Sequence, residues 1–281
     1  IDTRRMTVEG IATSVHIGGP GRTGPAGPGL TEAVVFVHGN PDSGSDWMPL
    51  MTRVARYATV VAPDLPGFGS AAARPDGDYT IYSYARFLHG VIEKLGIQRV
   101  HLVAHDFGGP FAAAWAADHP DRVASVTFVN TGVLVGYRWH RMARIWRTPV
   151  LGGLSMRLLD QRTTAKVLAR ENPGLSWEWV QVIAGHLLPE KTRRAVLRLY
   201  RSTRPGDMDQ LAARLREHDH KALVLFGDAD AYIPVEQAHR QAEIFPRATV
   251  KILPGLGHWC WLENTDVVAG HLEGFLRATL E

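Results

Sequence analysis

The chain has 281 residues, 45% hydrophobic and 21% charged, with a formal charge of +3; it can bury one substantial core and is too weakly charged overall to imply a nucleic-acid partner. No apolar run approaches the roughly 20 residues that span a bilayer, and the N-terminal stretch lacks the basic and apolar blocks of a secretory signal. The single cysteine, Cys260, excludes an internal disulfide and a multi-cysteine metal site and suits a reducing, cytoplasmic setting.

Residues 6–17, "MTVEGIATSVHI", alternate enough to predict an opening antiparallel pair of strands. The Gly/Pro-rich stretch 18–29 reads as a surface loop, a tolerated insertion between strands. Short β-branched runs follow at 33–39, 59–67, 100–106 and 123–130, each ending in turn or polar residues. Between them, 79–96 and 108–120 carry helical spacing. The pattern resumes with runs at 221–230, 235–245 and 248–255 and a final helix over roughly 264–280. Strands alternating with helices predict an α/β fold, a mostly parallel sheet flanked by helices.

The interval 133–217 interrupts this alternation. It is helix-rich, offers no convincing strand, and holds 16 Lys+Arg against 7 Asp+Glu, so that the rest of the chain carries a net −6. The expected organisation is a core domain from 1–132 and 218–281, with a helical cap inserted at 133–217. The basic excess reads as a solvated outer face or as a steering field for electron-rich substrates.

One stretch carries the chemistry. In "LVAHDFGGP" (102–110) an apolar strand stops at Asp106, with Ala104 and Gly108 two residues away on either side. A strand turning abruptly into a helix strains the residue at its tip and needs small neighbours. The following helix N-terminus favours an ionised carboxylate there. Taken alone, "DFGG" reads equally well as an ordinary helix cap.

Further blocks follow in order: "VFVHGNP" (35–41), "DLPGFGSA" (64–71), "LFGDADAYIP" (225–234) and "LPGLGHWCWLEN" (253–264). With the elbow and the helical interval, the chain resembles the α/β-hydrolase superfamily, and within it the group of epoxide hydrolases and haloalkane dehalogenases, closest to the epoxide hydrolases. The resemblance covers nearly the whole chain. It implies Asp106 as nucleophile, His258 as the base that activates water, and Asp230 as the acid that orients the histidine. Asp230 is preferred over Asp228 because the family acid lies three residues beyond the glycine, here Gly227; Asp228 is expected to be a loop residue. The backbone N–H groups of Phe107 and Asn40 are the implied oxyanion donors, and a cis bond is expected at Asn40–Pro41.

An aspartate at the elbow has a chemical reason. A serine attacking saturated carbon would leave an ether that water does not release. A carboxylate leaves an ester, and a histidine–aspartate pair can activate water against its carbonyl. Asp106 therefore suits epoxides and carbon–halogen bonds better than ordinary esters.

The two chemistries differ in what helps the leaving group. An epoxide oxygen needs a proton. Tyr200, in "VLRLYRST", resembles the tyrosine of the last cap helix in epoxide hydrolases. Tyr137, the other cap tyrosine, sits earlier than the family's first one; Trp146 or Trp139 could supply a second donor through its indole N–H. A halide needs N–H donors, and Asn40 is the halide-binding asparagine of many dehalogenases. Phe107, however, replaces the tryptophan that those enzymes place beside the nucleophile, and phenylalanine has no proton to give. The reading is an epoxide hydrolase acting on a small, largely apolar molecule, with haloalkane dehalogenation through Asn40 as the alternative. Asn130 is not the alternative triad acid of some dehalogenases. Gly109, Pro110 and Phe111 stand where a fluoroacetate-type enzyme would want arginines. An intact triad argues against a pure binding module. No cofactor, metal, nucleic-acid or membrane partner is expected, and a homodimer stays open.

Overall fold

The computed structural model describes residues 1–20 and 31–280. Its eight strands are β1 (Asp2–Val8), β2 (Ile11–Gly18), β3 (Glu32–Val37), β4 (Val60–Pro63), β5 (Arg99–His105), β6 (Val123–Val129), β7 (Lys221–Gly227) and β8 (Arg247–Leu253). They form one sheet in the order β1-β2-β4-β3-β5-β6-β7-β8. The β1/β2 and β2/β4 pairs are antiparallel and the rest parallel. The opening pair of strands is thus where the sequence placed it; most of the predicted loop at 18–29 lies outside the described residues.

Burial explains the sequence patterns. Strands β3 to β7 are covered on both faces and read as nearly unbroken apolar runs, whereas β8 at the edge alternates exposed and partly buried residues. Helices α1 (Met48–Val54), α2 (Ile81–Leu95) and α3 (Gly108–Asp118) connect the first parallel strands. Helix α2 starts at Thr80, whose hydroxyl accepts the Ser83 N–H, and stops at Gly96, which adopts the left-handed φ of 71°. Helix α3 is apolar all round and almost wholly buried against the sheet and α2.

Between β6 and β7 lie six helices: α4 (Arg141–Arg147), α5 (Leu151–Arg157), α6 (Gln161–Glu171), α7 (Trp177–His186), α8 (Glu190–Ser202) and α9 (Pro205–Leu215). Among the described residues of 133–217 there is no strand. These helices are fastened to the sheet domain by polar contacts. Thr192 donates to the Gly67 carbonyl at 2.9 Å, Lys191 to those of Gly69 and Ala71, Ser202 to that of Tyr79, and His186 lies 3.0 Å from the Asp46 carboxylate. Helices α10 (Glu236–Arg240), α11 (Cys260–Glu263) and α12 (Thr265–Arg277) complete the chain. Among the described residues no helix is long and apolar enough to cross a membrane.

Chain order around the sheet reverses at β3: β4 lies on one side of it and β5 on the other. In an open parallel sheet, the crevice beyond the carboxyl ends of such a strand pair is where ligands bind. Asn40 follows β3 and Asp106 follows β5, so both stand at that crevice.

Candidate active site

Asp106 is the first residue past β5 and has a φ of 48°, a conformation that costs an L-residue on the order of 1–3 kcal/mol. Close packing holds it there. A Cβ at Gly108 would come within 2.2 Å of the Val37 carbonyl oxygen, and one at Gly39 within 2.4 Å of the Asp106 Cβ. Two backbone amides converge on the Asp106 carboxylate: Asn40 N–H donates to Oδ1 at 2.8 Å, and the Phe107 N–H also hydrogen-bonds it. These are the two N–H groups that the resemblance implies, and Asn40–Pro41 is cis. Burial raises the Asp106 pKa, while the charge of His258 opposes the rise.

His258 lies in the turn after β8 and Asp230 in the loop after β7. His258 Nδ1 is 2.7 Å from Asp230 Oδ2, and its Nε2 is 3.7 Å from Asp106 Oδ2. Asp230 Oδ1 accepts the N–H groups of Tyr232 at 2.7 Å and Ile233 at 2.9 Å. Burial works against both charges. The opposite charge and hydrogen bond of the partner nevertheless lower the Asp230 pKa and lift that of His258 to about 8. Asp228 instead accepts the Gly255 N–H, which makes it the loop residue expected. Asn130, with a φ of 46°, donates from Nδ2 to Asp230 Oδ2 at 2.8 Å and pairs with the Gly227 backbone. It fixes the loop that presents Asp230, a role that its identity alone did not disclose.

Above Asp106 the inserted helices close a cavity of about 200 Å³, lined by Phe107, Leu134, Tyr137, Trp139, Met208 and Ile233 among others. A smaller recess adjoining Asp106 and His258 adds Asn40, Trp146 and Leu187. Tyr200 borders both spaces and is 3% exposed. Its hydroxyl oxygen lies 3.4 Å from Asn40 Nδ2 and 3.3 Å from His140 Nε2. His140 caps α4, its Nδ1 accepting the Ala143 N–H at 3.4 Å. That bond assigns the ring proton to Nε2, facing Tyr200. Burial, then the charge of His258, lowers the His140 pKa to about 4, so the ring is neutral. With two donors at its oxygen, the Tyr200 hydroxyl keeps its proton for whatever occupies the cavity. Burial and the neighbouring Asp106 charge raise its pKa well above the ordinary tyrosine value.

The other aromatic candidates divide. Trp146 Nε1 is buried beside the recess without a hydrogen-bond partner among the described residues, an available donor. Tyr137 lines the cavity, but its hydroxyl donates to the Tyr232 carbonyl at 2.9 Å. It is a wall residue of the cavity whose proton is committed elsewhere. Trp139 and Phe107 stack with ring centroids 6.2 Å apart, and both meet Tyr200 edge-on. The phenylalanine completes an apolar wall and offers no N–H.

A buried pair behind the histidine was not foreseen. His105 Nδ1 is 2.9 Å from Asp42 Oδ2 and its Nε2 is 3.1 Å from the His258 carbonyl oxygen. The Trp259 indole N–H donates to the other Asp42 oxygen at 2.9 Å. "HGNPD" and "HD" are adjacent to recognised blocks, yet only the fold brings them together.

A family model for the alpha/beta hydrolase fold matches residues 32–265. The chain belongs to the α/β-hydrolase family. A haloalkane dehalogenase of Mesorhizobium japonicum is 30% identical to this α/β-hydrolase, over 90% of the chain and 85% of that protein. A 2-hydroxy-6-oxo-2,4-heptadienoate hydrolase of Pseudomonas putida is 25% identical over 98% of the chain and 96% of that protein. The crystal structure of the Cif epoxide hydrolase from Acinetobacter nosocomialis shares the fold, with a TM-score of 0.82 and 19% identity over 98% of this chain and 88% of that one. The elbow residue of this α/β-hydrolase is thus an aspartate, set in a buried histidine–aspartate site beneath inserted helices.

Proposed function

We propose that this α/β-hydrolase opens a small, largely apolar epoxide to a vicinal diol through an ester on Asp106. The Asp106 carboxylate attacks a ring carbon; the carbon–oxygen bond breaks, and the oxygen takes the Tyr200 proton. His258, oriented by Asp230, then removes a proton from water, whose oxygen adds to the ester carbonyl carbon. The Asn40 and Phe107 N–H groups hold the resulting oxyanion. Collapse expels the diol oxygen, which is protonated from His258, and the proton left on the Asp106 carboxyl restores Tyr200. No cofactor enters this scheme.

The observation that carries the reading is the Tyr200 hydroxyl: it is buried at the Asp106 cavity with the His140 imidazole and Asn40 amide N–H groups at its oxygen, which leaves its own proton free. A leaving oxygen needs that proton, whereas a halide does not.

A second reading, haloalkane dehalogenation, is favoured by the unpartnered Trp146 Nε1 beside Asn40 in the same recess and by the dehalogenase relative. Two N–H donors there would cradle a halide. The intact mass of a His258→Gln variant, after exposure to epoxides and haloalkanes, separates the two. A gain equal to a whole epoxide supports ring opening; an alkyl gain without the halide supports dehalogenation instead. Retained turnover by Asp106→Ala would defeat both.

A further inference from the structure

Two arginines, each next in sequence to a residue of the recess, reach across to the opposite helix. Arg147, following Trp146 at the end of α4, donates from one guanidinium nitrogen to the Tyr200 carbonyl and, at 2.9 Å, to that of Thr203. Arg201, following Tyr200 near the end of α8, donates from Nε to the Trp146 carbonyl at 3.0 Å and from a terminal nitrogen to that of Thr148 at 3.3 Å. The last carbonyls of a helix lack intrahelical partners and form the negative end of its dipole, so a guanidinium is well placed on them. Here each helix end is capped by the arginine of the other. The Arg147 guanidinium also lies 4.9 Å from the centre of the Trp139 ring. Between them, the Trp146 and Tyr200 rings stand 5.2 Å apart.

Gly152 of α5 adds an independent observation. A Cβ there would come within 2.6 Å of the Trp146 carbonyl oxygen and 2.9 Å of an Arg201 terminal nitrogen, whereas one at the neighbouring Gly153 would meet nothing within 4 Å. The chain leaves room for the clasp at the one position that needs it.

We propose that Arg147 and Arg201 are positioning residues, a reciprocal clasp that sets the Tyr200 hydroxyl and the Trp146 indole N–H at one recess. Neither guanidinium is assigned a contact with substrate; each acts through the backbone of the residue that does the work. The proposal rests on the reading of Tyr200 as proton donor, and it predicts a kinetic signature confined to ester formation. A displacement of catalytic groups by about 1 Å can cost on the order of 10²-fold in rate, so even a partial loosening of the clasp is measurable.

The experiment follows the rate of epoxide adduct formation by intact mass in the His258→Gln protein, and steady-state turnover in the wild-type background. Arg147→Met should slow adduct formation about tenfold by loosening this geometry, and Arg147→Lys should restore part of the rate. In a Tyr200→Phe background the Arg147→Met effect should vanish, because residues that act through one another are non-additive. Gly152→Ala should slow ester formation while Gly153→Ala does not; because a Cβ at Gly152 also presses on backbone carbonyls of α4, urea unfolding of both variants separates lost positioning from lost stability. An undiminished Arg147→Met effect without the Tyr200 hydroxyl, or equal rates for Gly152→Ala and Gly153→Ala, would overturn the clasp. If Tyr200→Phe alone leaves adduct formation unchanged, the donor reading itself fails, and the glycine pair still reports on whether the clasp matters.

Discussion

The imidazole of His140 and the phenol of Tyr200 face one another, Nε2 to oxygen, at 3.3 Å. The ring is neutral and its other nitrogen is occupied by the Ala143 N–H, so the histidine can only donate. Tyr200→Phe should slow ester formation by about 10²–10³-fold, the scale on which loss of one oxyanion-hole donor is felt. His140→Phe should slow it less, and His140→Gln, which keeps an N–H, least. Adduct accumulation in a His258→Gln background measures all three. Equal rates for the His140 substitutions would remove its hydrogen bond from the mechanism.

The pH dependence should divide between the two steps. In the free enzyme His258 is lifted from 6.5 to about 8 despite its burial, by Asp230 foremost and by the Asp106 carboxylate. Ester formation removes the Asp106 charge, so the histidine should lose its proton more readily in the intermediate. Ester hydrolysis, which needs the neutral base, should therefore rise with pH through a midpoint below about 8. Asp230→Asn should lower that midpoint further and slow the step. Single-turnover decay of the ester across pH checks this; a midpoint above that of the free enzyme would contradict it.

Sequence legibility followed chain distance. The parallel sheet could be read directly from strands alternating with helices, whereas Asp106, Asp230 and His258 were implied by the family resemblance of the blocks around them, each at a turn that follows a strand. The six helices between β6 and β7 were legible as a helical interval for a similar reason, the loss of β-branched runs. What escaped depends on tertiary convergence. His140 is an ordinary helix cap until α8 brings Tyr200 against its other nitrogen. Asn130 gains its meaning only when β7 pairs beside β6. Tyr137 stands too early to match the family's first cap tyrosine, but a sequence cannot show that the Tyr232 carbonyl takes its proton.

The buried pair behind the histidine carries its own expectation. Both ring nitrogens of His105 face oxygen atoms, the Asp42 carboxylate at 2.9 Å and the His258 carbonyl at 3.1 Å. Burial opposes ionisation of Asp42, yet the hydrogen bond and charge of His105 hold its carboxyl well below the usual range. Asp42→Asn replaces a carboxylate that His105 and the Trp259 indole both meet at 2.9 Å, leaving a buried polar group poorly paired, a change that costs about 1–3 kcal/mol. Urea unfolding should show that loss. Because His105 also holds the backbone of His258, ester hydrolysis should slow more than ester formation. A variant as stable as the parent would mean that the hydrogen bonds to Asp42 do not hold this part of the fold.

The elbow tolerates no side chain at two glycines, and for different reasons. A Cβ on Gly39 would sit 2.4 Å from the Asp106 Cβ and 2.6 Å from its Oδ1, displacing the carboxylate itself. A Cβ on Gly108 would press at 2.2 Å on the Val37 carbonyl, a backbone atom of β3 that has no freedom to yield without parting from β5. Gly39→Ala should therefore reduce ester formation by about 10²-fold or more, in keeping with the cost of misplaced reacting groups, while the protein stays folded. Gly108→Ala should lower the unfolding midpoint in urea as well, because backbone strain is added within the sheet. Gly274→Ala, where a Cβ meets nothing within 4 Å, supplies the control and should leave both quantities near their parent values. If Gly39→Ala retained full ester formation, the positive-φ position of Asp106 would have more slack than its packing shows, and the strained elbow would not be what aims the carboxylate.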